Sequence, residues 1–124
     1  MNANSDYAIR AVEMHKSLLE RQAALEAQYP DTNWTGMSVK DTIKNVLLNN
    51  DGKLANQLKK EFKFNDRFFF RLRLTCFAQQ NNFDEIDQLC RAKRPPIGFD
   101  QIVKICVDHN RADEADKYLG RCQG

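Results

Sequence analysis

The chain has 124 residues, 19 Lys plus Arg against 17 Asp plus Glu, a formal net charge of +2 and 42% hydrophobic residues. That is one domain's length, enough to bury a core without disulfides or metal, and no apolar run approaches the roughly 20 residues that a membrane-crossing helix needs. Five Gly and three Pro supply too few tight turns for a sandwich or barrel of many short strands, so the expected fold class is all-α.

Tyr7, Ala11, Met14, Leu18 and Leu25 recur at helical spacing and predict one long helix over 1–29, starting near Ser5 and stopped by Tyr29-Pro30. The mixture of Asp6, Arg10, Glu13 and Lys16 with the apolar positions does not resemble a secretion signal. Asp31 to Gly36 reads as a loop. Ser38 and Asp41 then mark a helix start, a hydroxyl capping free N–H groups and a carboxylate in the positive first turn. Val39, Ile43, Val46 and Leu47 line that helix, which stops at Asn49-Asn50. Leu54, Ala55, Leu58 and Phe62 mark the next.

Asn65-Asp66 can cap a helix carrying Phe69, Leu72 and Cys76, and the turn Gln79 to Asn82 leads to one with Phe83, Ile86, Leu89 and Cys90. Pro95-Pro96-Ile97-Gly98 breaks the chain, because neither proline donates a backbone hydrogen bond and each restricts the residue before it. Asp100 to Val107 reads as a helix, His109-Asn110 as a turn, and Ala112 to Arg121 as a last helix with Ala115, Tyr118 and Leu119 inward.

Helix pairs are thus expected at 38–63, 66–92 and 98–121, beginning near Ser38, Asp66 and Gly98. This period belongs to stacked helix-turn-helix units and predicts a short α-solenoid of about seven helices, preceded by the long helix. A globular bundle shares the same periodicity. If the first helix is a cut end that packs against upstream helices in a longer chain, Tyr7, Ala11, Met14 and Leu18 would here expose an apolar stripe able to drive self-association.

Chemistry is sparse. Cys76, Cys90, Cys106 and Cys122 contain no close pair of the spacing that tetrahedral zinc sites use, and three fall on apolar faces, so packed free thiols in a reducing compartment are expected. His15 and His109 stand alone. The carboxylates Asp84, Glu85, Asp87, Asp113, Glu114 and Asp116 are expected on solvated helix faces beside Arg91, Lys117 and Arg111. No phosphate-cradling glycine loop or nucleophile elbow is present, so no catalytic, cofactor or metal residues are assigned.

Residues 38–75 carry nine basic and four acidic side chains, while their flanks are slightly acidic. Phe62, Phe64, Phe68, Phe69 and Phe70 lie among Lys59, Lys60, Lys63, Arg67, Arg71 and Arg73, a pattern compatible with a nucleic-acid or acidic-lipid binder. Phe62, Phe69 and Leu72 also form an apolar stripe, which would place those rings in the core and leave the cations for an acidic protein surface.

Ser38-x-x-Asp41-Thr42-Ile43, Lys53-Leu54-Ala55-Asn56-Gln57-Leu58-Lys59-Lys60-Glu61-Phe62, Asp66-Arg67, Asn82-Phe83-Asp84-Glu85, Lys93-Arg94-Pro95-Pro96-Ile97-Gly98-Phe99, Val103-Lys104-Ile105-Cys106 and Glu114-Ala115-Asp116-Lys117-Tyr118 together resemble the C-terminal region of the class C vacuolar protein-sorting family numbered sixteen. Members are core subunits of the HOPS and CORVET tethering complexes. The most specific feature is the Pro-Ile-Gly-aromatic turn placed after the Gln-Leu-x-x-x-Phe helix. Phe68-Phe69-Phe70 replaces the family's usual paired tryptophans, and Pro95 stands where Ser is common. A related paralogue that pairs with the other Sec1/Munc18 (SM) isoform has a similar turn after a longer insertion.

The resemblance implies an α-solenoid segment of a larger protein, cytoplasmic and peripheral on late endosome, lysosome or vacuole membranes. It implies binding of the SM subunit that serves SNARE assembly, together with other tethering subunits, without nucleic acid and with only indirect membrane contact. On a solenoid, outward positions of successive second helices form a contact ridge, which nominates Ala55, Lys59, Arg111 and Arg121. Ala55 and Ala115 fit internal helix packing as well.

Overall fold

A computed structural model describes residues 3–122. Among them lie seven helices and no strand: α1 (Ala3–Gln28), α2 (Val39–Leu48), α3 (Gly52–Glu61), α4 (Asp66–Gln79), α5 (Phe83–Ala92), α6 (Phe99–Asp108) and α7 (Ala112–Leu119). The all-α expectation holds, with helix ends displaced by a residue or two. The last helix is shorter than expected, ending at Leu119. The chain divides into two compact units, Met1–Ile43 and Lys44–Gly124.

In the first unit the loop after α1 folds back on that helix. Trp34 is 0% exposed and its indole Nε1 donates to the Tyr29 carbonyl at 3.0 Å. Gln22, also 0% exposed, organises the loop with both ends of its amide: Nε2 donates to the Met37 carbonyl at 2.8 Å and to Thr42 Oγ1 at 3.0 Å, while Oε1 accepts from the Gly36 N–H at 3.2 Å. A buried amide is tolerated because its donors and acceptor are satisfied. One turn further along α1, Glu26 Oε1 accepts from the Thr35 hydroxyl at 2.7 Å and its N–H at 3.0 Å. Those bonds, the hydroxyl's foremost, hold the carboxyl below its ordinary range. Ser38 Oγ accepts from the Asp41 N–H at 3.0 Å, the expected cap. Leu18 and Leu25 are buried, whereas Tyr7, at 77% exposed, Ala11 and Met14 continue the same stripe in the open.

The second unit is built on a repeat. Asn50, Asn81 and Asn110 close the first helix of each pair with φ of 61, 55 and 60°, a left-handed conformation that Asn adopts more readily than other side chains. After each, the next N–H reaches five residues back: Asp51 to the Val46 carbonyl at 3.2 Å, Asn82 to Phe77 at 2.8 Å and Arg111 to Cys106 at 2.9 Å. This is the Schellman closure, which satisfies carbonyls that a helix end leaves open. Four residues beyond each closure stand Ala55, Ile86 and Ala115, all buried.

Contacts between pairs repeat with the same step. Gln80 Nε2 donates to the Leu48 carbonyl across 32 residues, Arg71 to Gln101 across 30, Arg111 to Asn81 across 30, and the Tyr118 hydroxyl to Asp87 across 31. Each helix pair therefore packs on the next in register, as in a solenoid. The shared core contains Leu74, Ile86, Ile97, Ile102, Ala115 and Tyr118.

Two expectations are corrected. Leu119 is 53% exposed rather than inward, because its counterpart Cys90 is covered by the following pair and no described helix follows α7. Glu114 is not on a solvated face: its side chain is 12% exposed and held by Arg111 and Lys117.

Candidate functional site

The four residues nominated for a contact ridge have unlike environments. Ala55 is 0% exposed, so its methyl group serves packing within its unit and offers a partner no surface. For Ala55 this favours the internal-packing reading over the contact reading. The physical reason is its place four residues after the Schellman closure, on the inward face of α3.

Lys59 lies half-buried one turn further along α3. Its ammonium pairs with Asp66 and sits 5.8 Å from the Phe69 ring centroid. The ammonium's hydrogen bond, followed by its charge, lowers the Asp66 carboxyl. The pair ties the end of α3 to the first turn of α4, where Asn65 Oδ1 accepts from the Arg67 and Phe68 N–H groups at 2.9 and 3.2 Å. Lys59 is therefore a bridging residue whose side chain is 21% exposed.

Arg111 is a clasp. Its Nε and one terminal nitrogen each donate to Asp113 at 3.0 Å, the other terminal nitrogen donates to Asn81 Oδ1 at 2.7 Å, and Glu114 Oε1 lies at 3.3 Å. Its guanidinium carbon stands 4.6 Å from the Phe83 ring centroid. The planar fork thus joins the turn of one pair to the start of α7, a geometry that lysine could not reproduce. The expected ridge role meets a side chain whose donors are engaged internally.

Arg121 differs. It is exposed, its guanidinium carbon rests 5.2 Å from the Phe99 centroid, and it borders a cleft of about 600 Å³. Of the four nominated residues it alone is exposed, and among the described residues it joins no ion pair. The cleft is not visible in the sequence, because Pro95-Pro96-Ile97-Gly98 and Arg121 come together only through folding.

Within the basic stretch, Phe62 and Phe69 are buried, which removes them as stacking platforms, while Phe68 is 52% exposed beneath the Arg71 guanidinium. Arg73 is half-buried against Phe69. Among the described residues no three His, Cys, Asp or Glu gather as a metal-binding set, and no helix is long and apolar enough to cross a membrane. His109 Nδ1 faces the Ile105 carbonyl at 2.8 Å; a carbonyl only accepts, so Nδ1 carries the proton.

The thiols are free. Burial pushes Cys76 and Cys90 up to about 11 and raises Cys106 as well, so at pH 7 a thiol at about 11 is thiolate in roughly one molecule in ten thousand. Half-buried Cys122 is expected to react first with iodoacetamide in the folded chain, with the other three protected until denaturant is added. Mass spectrometry of timed samples checks this, and equal labelling of all four in the folded state would contradict it.

The family model described as "Vps16, C-terminal region" matches residues 2–124. The vacuolar protein sorting-associated protein 16 homolog of Drosophila melanogaster is 34% identical over 106 residues, covering 86% of this chain and 13% of its own length. Protein VACUOLELESS1 of Arabidopsis thaliana is 31% identical over 110 residues, 89% of this chain and 13% of that protein. The Dictyostelium discoideum homolog is 31% identical over 98 residues, 79% of this chain and 12% of that protein. The chain thus spans about an eighth of the length of these relatives. With its helix pairs matched from end to end, the chain belongs to the Vps16 C-terminal-region family.

Proposed function

We propose that this chain is a protein-interaction module of a membrane-tethering complex in vacuolar protein sorting, and that it holds the SM-family subunit that serves SNARE-mediated fusion at late endosomes, lysosomes or vacuoles. The observation that carries the reading is family membership across residues 2–124, supported by relatives named for vacuolar protein sorting. Stacked helix pairs suit such work, since equivalent positions of successive units make an extended surface. HOPS and CORVET are the complexes in question, with other tethering subunits as further partners and attachment to membrane through them.

Arg121 and the exposed part of Lys59 are the contact residues this reading retains, while Arg111 acts by fixing the surface around α7. Co-purification tests the reading: an SM-family protein is expected in equal amount with the chain, and persistence of the complex from about 50 to 200 mM salt separates protein docking from phosphate binding. Lys59→Glu and Arg121→Glu are expected to weaken capture while circular dichroism remains helical. Recovery of nucleic acid with no SM-family protein would overturn the proposal.

A further inference from the structure

The segment between α5 and α6, the first two residues of α6, and Arg121, two residues past the end of α7, line the cleft of about 600 Å³. Lys93 leaves α5 in an extended conformation, φ −161° and ψ 146°, and the two prolines that follow cannot rejoin a helix. Ile97 is buried and anchors this strap to the core. Gly98 stands at the N-cap of α6, with the Asp100 carboxylate folded over it where a larger side chain would have to displace it. Asp100 supplies negative charge to the first turn of α6, so that helix end is already served by the protein's own anion.

What remains open is cationic. In the last two helix pairs Arg91, Lys104, Arg111 and Lys117 each hold a carboxylate. Arg94 and Arg121 line the cleft, both exposed, and among the described residues neither joins an ion pair. Arg121 is nonetheless oriented. Its guanidinium lies on Phe99, which stacks on Tyr118 with centroids 6.2 Å apart and planes at 19°. Stacking occupies the face of a guanidinium and leaves its N–H edge for a planar acceptor. Holding the side chain beforehand also reduces the ordering cost of binding.

We propose that this cleft docks a carboxylate-bearing segment of a partner protein, with an apolar side chain against Pro95, Pro96 and Phe99 and flanking acidic residues on Arg94 and Arg121. The proposal rests on the previous reading only in that the chain works by holding another protein, and it adds the chemistry of the segment held. A peptide fits better than a polyanion. Nucleic acid or an anionic bilayer is held by many cations acting together, whereas this cleft offers two beside Asp100, within a region, residues 76–124, whose acidic side chains outnumber the basic ones.

The test titrates the 124-residue chain with a capped pentapeptide bearing a leucine between two pairs of glutamates, followed by NMR of the arginine Nε–H and backbone amide signals. The expected result is saturable shifts at Arg94, Phe99 and Arg121, and no such shifts with a glutamine version of the peptide. Affinity should fall about tenfold or more in Arg94→Gln/Arg121→Gln, as loss of charge-assisted hydrogen bonds implies, and remain unchanged in Arg10→Gln. Both cleft arginines are exposed, so the double variant is expected to keep its melting curve. Absence of shifts, equal response to the glutamine peptide, or the same shifts produced only by inorganic phosphate or phosphatidylserine vesicles would overturn the proposal. A chain that co-purifies with an SM subunit but leaves the cleft signals unmoved loses the cleft proposal alone. Cleft binding without SM co-purification removes only the earlier reading.

Discussion

Trp34→Ala is expected to lower the stability of the folded chain by about 3–5 kcal/mol, the range for truncating a fully buried large aromatic side chain. The indole is 0% exposed and donates to the Tyr29 carbonyl at 3.0 Å, with the Tyr29 ring 6.0 Å from its own. Alanine leaves a cavity beside the loop and removes the shorter of the two hydrogen bonds that the Tyr29 carbonyl accepts, the other coming from the Thr32 N–H, and both effects have the same sign. The bonds that Gln22 and Glu26 send to this loop would then be left to hold it by themselves. Urea denaturation followed by circular dichroism checks the value. Trp34→Phe keeps most of the apolar area and is expected to cost less than half as much. A loss for Trp34→Ala under about 1 kcal/mol, a typical surface-to-average effect, would show that the loop does not depend on the ring.

In the second unit the largest effect is expected from Ile102→Ala, about 2–5 kcal/mol, because the lost methyl and methylene groups leave a void in a close-packed interior. Ile102 is 0% exposed and shares one core with Leu74, Ile86 and Ile97, residues drawn from two helix pairs and the strap between them. Ile102→Val removes one methyl group and is expected to cost about 0.5–1.5 kcal/mol. Leu119→Ala, at a side chain 53% exposed, is expected to stay within about 0.5 kcal/mol of the parent. The same urea titration ranks all three. Equal losses at Ile102 and Leu119 would contradict the placement of α6 and α7.

The helices were legible because their signals are local. A 3.6-residue apolar period, the caps at Ser38 and Asn65 and the prolines that stop α1 and separate α5 from α6 act within a few residues, and the structure differs from them only at helix ends. The repeat was legible too, in part. Its period could be read from where the pairs begin, but its clearest mark is the left-handed Asn50, Asn81 and Asn110, which in the bare sequence are ordinary polar turn residues. Aligning the three turns first would have found it and would have matched Ala55 with Ile86 and Ala115 as interior positions.

The candidate site was less legible. Lys59, Arg111 and Arg121 are all basic residues near the ends of second helices or the turns beside them, and sequence spacing treats them alike. Folding separates them. Lys59 meets Asp66 across a turn, Arg111 meets Asn81 from 30 residues away, and Arg121 rests on Phe99 with its charged edge open. Likewise Trp34 stood in a polar loop with no helical partner positions to predict its burial.

By itself, the sequence determined an all-helical chain, its pairing into repeats and the resemblance that membership in the Vps16 C-terminal-region family bears out. Only the tertiary structure decided which side chains are available. Availability depends on partners 20 to 32 residues distant, as between Gln22 and Thr42 or Gln80 and Leu48, and those distances along the chain exceed the reach of helix periodicity and capping. A charge is free to bind another molecule only after the fold has assigned the other charges to one another.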